Sequence, residues 1–437
     1  MDFNTIVGIV TFLVMMVMIL GGIPIFVSML TCSFVGFIVL FDGNITMAIT
    51  QFTTAPFSLA GNYNYAVLPL FMLVGTLAGE TGIAEDAFAA IRSFLGRVKG
   101  GTLFTVIGAN AVFGACSGSS IAGNVVFGKL AMPTLDKEGY DRKYAMGCIT
   151  AAGALSTLIP PSMGILMFCL VVPANLSVST ALVGGIGPGI LTAIALGITV
   201  RVIGVVKKGS IPEASGEKVP ASEKIKGLKL LLPILFLFAL IIGGSAMGWF
   251  PATVGGAIGA VACCLYAFAK RMPLKKLAGC MWEAAVMNAG IFPIIIGGQI
   301  FGRFVSATGI AATLANAIAG VNAPPFIIFL LVIILYIFCG CVMDIVSIII
   351  ITVPIVFPVL TGLGYDPYVL VIALCFMTEI AGLTPPIGMN VFATANALRV
   401  KPMEIFSGVI PYVVCEFAMV LLVAHVPQIV TFIPSLF

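Results

Sequence analysis

Residues 154–162 read Ala-Leu-Ser-Thr-Leu-Ile-Pro-Pro-Ser, and residues 379–388 read Glu-Ile-Ala-Gly-Leu-Thr-Pro-Pro-Ile-Gly. Each double proline falls in the middle of an apolar stretch, 144–175 and 367–397, that otherwise suits a helix. Proline has no N–H, so the carbonyls of Ser156 and Thr157 in the first, and of Ala381 and Gly382 in the second, lose their donors one turn on. An interior proline costs a helix about 3 kcal/mol. The plainer reading of each is a kink. Two such pairs, 225 residues apart, instead predict broken helices whose freed oxygens, with Ser162 beside the first, suit a hard monovalent cation such as Na⁺.

Working outward, nearly the same spacing recurs. Gly139-Tyr140-Asp141 returns as Gly364-Tyr365-Asp366, Pro133 as Pro358, and Thr81-Gly82-Ile83-Ala84 as Thr308-Gly309-Ile310-Ala311. Residues 1–206 and 228–437 are therefore read as two repeats, joined by the polar cytoplasmic linker 207–227. Each holds five crossings, an odd number, so the second is inverted relative to the first. That arrangement marks secondary transporters, whose sites lie where the halves meet.

Composition fits this. Of 437 residues, 60% are hydrophobic and 9% charged, against about 25% charged in soluble domains. The apolar segments are 3–20, 23–41, 63–79, 101–135, 144–175, 178–206, 228–249, 251–269, 282–302, 325–360, 367–397 and 404–433. They are continuous rather than alternating, which predicts an all-α polytopic membrane protein. Residues 3–20 follow an acidic Asp2 and no basic run, and are read as a retained span. The basic clusters, from Arg92 to Lys99, Lys137 to Lys143, Lys207 to Lys229, Lys270 to Lys276, and Arg399 with Lys401, fall on one side only if 101–135 and 325–360 are re-entrant hairpins. Then the first hairpin opens to the cytoplasm and the second to the outside. Ten crossings remain, both termini lie outside, and Arg303 is the exception. The stretch 80–99 reads as an amphipathic cytoplasmic strut, with 304–320 as its mirror outside. The 11 cysteines read as small buried hydrophobes.

The hairpins carry chemistry. The first turns at Gly114-Ala115-Cys116-Ser117-Gly118-Ser119-Ser120, where small residues end one arm and Ser119 or Ser120 caps the next. Such a tip offers oxygens to a cation and N–H groups to an anion. The plainer reading is a tight turn packed by small residues. The second turns at Gly340-Cys341-Val342-Met343-Asp344-Ile345-Val346-Ser347. Asp344 and Glu379 are intramembrane acids, costing about 2.5–3.5 kcal/mol on insertion scales, and so draw attention as functional. Asp344 reads equally well as a helix cap. Asn124, Glu283, Asn288, Gln299, Asn396 and Glu416 read mainly as interhelical hydrogen-bonding groups. With His425 as the one histidine, near the end of the last span, no Ser/His or Cys/His pair is available at a tip. No ATP-binding or metalloprotease motif occurs, so neither an enzyme nor an intrinsic ATPase is expected.

The stretches SGSSIAGNVVFGKLAMP (117–133), KEGYDRKYAMGCITAAGALSTLIPPS (137–162) and EIAGLTPPIGMNVF (379–392) resemble the large membrane subunit of tripartite ATP-independent periplasmic (TRAP) transporters, the DctM-like family, over essentially the whole chain. The chain departs from the family pattern at Gly123-Asn124. The resemblance implies an elevator-type, Na⁺-coupled inner-membrane carrier of organic acids, carboxylates or sulfonates. It also implies two partners, a small four-helix membrane subunit and a periplasmic solute-binding protein. It puts cation sites at Ser117, Gly118, Ser119 and Ser120 with Ser156, Thr157 and Pro160, and at Gly340 and Asp344 with Ala381, Gly382, Thr384 and Pro385. Substrate contacts are expected from Ser120, Asn124, Ser162, Asp344, Thr384, Gly388 and Asn390. A stand-alone Na⁺-coupled organic-anion symporter of the same architecture is the competing reading.

Overall fold

The computed structural model describes residues 2–96, 98–172, 174, 176–213, 220–313, 324–340, 343–386 and 388–437. The described residues form helices and connecting turns, with no strand among them. Among the described residues, seven helices are long and apolar enough to cross a bilayer, or nine if two bent pairs each count as one span. One bent pair, Arg142–Leu158 with Met163–Val171, turns by 46° at Pro160-Pro161. In the second half Pro367–Ala381 ends before Pro385-Pro386 and Met389–Leu398 resumes after it. Both Pro-Pro bonds are cis.

Several boundaries differ from expectation. Residues 42–63, between the apolar segments 23–41 and 63–79, contain two short helices, Ile45–Thr53 and Ala55–Ala60. Asn44 starts the first by accepting the Met47 N–H at 3.1 Å. The span read as 282–302 is the middle of one helix, Leu274–Thr308, of 35 residues. At 1.5 Å per residue it runs about 50 Å, well beyond a hydrocarbon layer of about 30 Å. It absorbs the first part of the strut expected at 304–320, of which residues 314–320 lie outside those described. The strut expected at 80–99 is the helix Ile83–Leu95, packed on Gly101–Ser117 and on Ala221–Phe238. That last helix already starts inside the linker expected to run to 227, of which 214–219 lie outside the described residues.

The centre of the molecule is Pro367–Ala381, every residue of which from Val369 onward is buried. A helix apolar on all sides needs neighbours all round. It gets them from both halves: Pro325–Gly340, Ile345–Gly362 and Pro402–His425 on one hand, and Leu155–Leu158 and Met163–Val171 on the other. The halves interleave elsewhere too, with Arg142–Ala152 against Pro402–His425 and Ser120–Glu138 against Met389–Leu398.

The two halves carry the same local devices at the same separation. Asp141 caps one central helix and Asp366 the other. Gly139 and Gly364 precede them with φ of 79° and 90°. Ser119 and Asp344 cap the returning arms of the hairpins. A Cβ on Gly114 would lie 2.6 Å from the Ser156 Cα, and one on Gly340 would meet Ala381. Hairpin and broken helix therefore cross at backbone contact in both halves, at places only glycine can occupy.

Candidate functional site

Each hairpin tip is built by its own backbone. Gly101–Ser117 ends on Gly118 at φ 60°, whose N–H returns to the Gly114 carbonyl at 2.9 Å. Ser119 opens the return arm, its Oγ accepting the Ala122 N–H at 3.3 Å. The tip abuts the first break, since a Cβ on Gly118 would lie 2.5 Å from the Pro161 carbonyl oxygen. Of the second tip, Cys341 and Val342 lie outside the described residues. Asp344 caps its return arm, accepting the N–H groups of Val346 at 3.1 Å and Ser347 at 3.4 Å, and the Ser347 hydroxyl.

Both tips and both breaks open on one cavity of about 710 Å³. Of the residues singled out from sequence, Ser117, Gly118, Ser119, Ser120, Thr157, Asp344, Gly382 and Asn390 line it. So do the first residues of four helices: Ser120, Met163, Ile345 and Met389. A helix N-terminus carries roughly half a positive charge, worth about 0.3–1 kcal/mol to a nearby anion. The ionisable side chains on the described wall are acids, Glu80, Glu283, Asp344 and Glu379. Positive potential for an anion must come from the helix ends.

At the floor, Glu379 is fully buried and held from both halves. It accepts from the Thr157 hydroxyl of the first half, and from the Asn390 amide at 2.8 Å. Ser120, also of the first half, donates to the Asn390 side-chain oxygen Oδ1 at 3.3 Å. Deeper in, the Thr150 and Thr394 hydroxyls meet at 3.2 Å. Sequence reasoning flagged Glu379 as costly without placing it in the site. Its apolar neighbours gave no hint that Thr157, 222 residues away, would meet it.

The remaining expected residues stand behind this wall. Asn124 does not line the cavity; with its amide turned so that the nitrogen donates, it bonds the carbonyls of Ile149 and Thr150. Ser162 is spent on capping Met163–Val171, through the Ile165 N–H at 3.2 Å. Ser156 is buried against Gly114, its hydroxyl without a hydrogen-bond partner among the described residues. Pro160, Gly340, Ala381, Thr384, Pro385 and Gly388 form the crossings and the break itself. The expected free carbonyls at the second break are not free. That of Ala381 accepts from the Thr384 hydroxyl at 2.9 Å and its N–H at 3.3 Å, and that of Gly382 from the Asn390 N–H at 3.0 Å. The extra turn around Pro385 folds Thr384 back onto the end of its own helix. A carbonyl has two lone pairs, so that of Gly382, with one donor, keeps a direction open, while that of Ala381 already meets two.

Tips and breaks thus offer hydroxyl, carbonyl and carboxylate oxygens, a donor set matched to a hard cation. No cluster of three His, Cys, Asp or Glu side chains for a softer metal occurs among the described residues.

Comparison with known proteins bears on what this cavity is for. A family model described as "Tripartite ATP-independent periplasmic transporter, DctM component" matches residues 12–429. The chain is 27% identical to the C4-dicarboxylate TRAP transporter large permease protein DctM of Vibrio cholerae, over 97% of each chain. It is 25% identical to the isethionate TRAP transporter permease protein DctMQ of Oleidesulfovibrio alaskensis, over 86% of this chain and 59% of that one. Among solved structures, the YdaH transporter of Alcanivorax borkumensis is similar, with a TM-score of 0.63, 16% identity and 88% of each chain covered. That last likeness concerns the fold alone.

Proposed function

The chain belongs to the DctM component family of tripartite ATP-independent periplasmic transporters, and from that premise we propose that it takes up a small organic acid, a carboxylate or sulfonate, by Na⁺-coupled transport. It is a transport permease subunit and not an enzyme. The observation that carries the substrate reading is the ring of four helix N-termini around a cavity whose ionisable wall residues are all acids. N–H groups fixed at helix ends recognise carboxylate and sulfonate alike, and the relatives named for a C4-dicarboxylate and for isethionate span that chemistry.

Na⁺ takes the oxygens of each tip with its break: Ser117–Ser120 with Ser156, Thr157 and Pro160, and Gly340 and Asp344 with Ala381, Gly382, Thr384 and Pro385. The devices repeated 225 residues apart support two repeats, inverted as the basic residues require. Segments 101–175 and 325–397 then travel as one body against the other helices, an elevator in the bacterial inner membrane with both termini periplasmic. The partners are a small four-helix subunit, which the DctMQ name points to, and a periplasmic solute-binding protein that delivers the acid.

The test is uptake in proteoliposomes by this chain with and without its two candidate partners, using a panel of C4-dicarboxylates and isethionate. Uptake is expected only with all three proteins and an inward sodium gradient. Equal uptake in potassium at a fixed proton gradient would end the sodium reading. Full-rate uptake by the chain alone would replace the tripartite reading with a stand-alone symporter.

A further inference from the structure

A second cavity, of about 620 Å³, lies on the same frame. Three helices wall both cavities in order. Met163–Val171 gives its first residues to one and Leu170 and Val171 to the other. Leu274–Thr308 gives Glu283 to Ile291 and then Ile295 to Ser306; Ile345–Gly362 gives Ile345 and Val346 and then Pro354 and Pro358. The cavities therefore lie one beyond the other, the change on Leu274–Thr308 falling between Ile291 and Ile295.

The second cavity has the opposite electrical character. Arg303 is the one charged residue on its described wall. Its Nη1 donates only to neutral oxygens, the Gln51 carbonyl at 2.9 Å and the Thr54 hydroxyl at 2.8 Å. Among the described residues no carboxylate pairs with it. A guanidinium has five N–H donors in a planar fork that matches a carboxylate or sulfonate. Beside it a polar chain lines the wall, with Gln299 donating to the Tyr65 hydroxyl at 2.9 Å and Tyr65 to the Leu170 carbonyl at 3.3 Å. The basic-residue pattern puts this end of Leu274–Thr308 outside.

We propose that the Arg303 cavity is an outward vestibule that receives the carboxylate or sulfonate of the incoming acid before the acid reaches the hairpin tips. This rests on the transport reading above. Arg303 holds the charged group and Gln299 and Tyr65 supply hydrogen bonds.

The experiment labels a single introduced cysteine, Ser306→Cys, in the full chain in right-side-out vesicles, with labelling at 306 read by peptide mass. The anionic ethylsulfonate and cationic trimethylammonium methanethiosulfonates are compared. Arg303→Gln is expected to lower the anionic-to-cationic rate ratio about fivefold, as removing one nearby charge in a wet site does, and Arg303→Lys to keep it. Succinate or isethionate should slow labelling when Arg303 is present and not in the Gln variant. An unchanged ratio in a monodisperse Arg303→Gln or Arg303→Met protein overturns the proposal, as does labelling only from the cytoplasmic side. Absent uptake in proteoliposomes with an intact ratio would instead count against the transport reading.

Discussion

At the scale of single residues, the junction of Glu379, Thr157, Asn390 and Ser120 is where a buried acid and both halves meet. Burying a polar group without its partner costs about 1–3 kcal/mol. Asn390→Ala strips one donor from Glu379 and the acceptor from Ser120, so a loss near the top of that range is expected in thermal unfolding. Glu379→Gln keeps the shape but turns an amide N–H toward one of two donors, and a comparable loss is expected. If both variants melt within a degree of the parent, the junction is not a structural clamp. The residues that made the site legible act through the backbone. Two adjacent prolines interrupt a helix here, where single ones such as Pro293 and Pro354 are carried inside one. Glu379 was legible as an intramembrane acid that draws attention as functional but not as a member of the site, because its partners are chosen by packing between helices far apart in sequence. The same holds for the Ala381 carbonyl, which sequence counts as free and Thr384 occupies.

At the scale of elements, Asp344 can be divided between its two roles. It caps Ile345–Gly362 and also faces the cavity. Asp344→Asn keeps one oxygen for the cap and removes the charge; Asp344→Ala removes both, with about 1 kcal/mol expected from cap loss. The sodium half-saturation of uptake should rise in both, while melting temperature should fall clearly only in the alanine variant. Matching sodium curves for Asp344→Asn and the parent would leave Asp344 a cap alone. The contact between Leu274–Thr308 and Ile345–Gly362 offers a second test, since a Cβ on Gly298 would overlap Ile350. Gly298→Val should cost about 1–3 kcal/mol by overpacking, and Ile350→Ala in the same chain should recover part of it. Additive losses would mean the two residues do not meet. The short helices Ile45–Thr53 and Ala55–Ala60 escaped the sequence reading for a different reason. They bury only Ala48, Ala55 and Leu59 between flanking Gly and Asn turns, so their pattern looks like a loop.

At the scale of the whole molecule, the inverted arrangement proposed above would set which loops share a side. Single cysteines at Asp141 and at Asp366 are expected to react with an impermeant thiol reagent from opposite faces of the membrane. Same-side labelling would remove the inversion, and with it the travelling body made of 101–175 and 325–397. The interleaving of the halves has a further consequence, for how the protein is made. Arg142–Ala152 and Met163–Val171 are covered by Pro402–His425 and Ile345–Gly362, which the ribosome reaches roughly 200 residues later. At roughly 5–20 residues per second that is a wait of about 10–40 s, during which a helix broken at its middle lies in the membrane with its intended neighbours still unwritten. A nascent chain stopped before residue 345 has every residue of its first binding element and neither of these two helices to set it against. Quality control should therefore treat late truncations as severely as early ones.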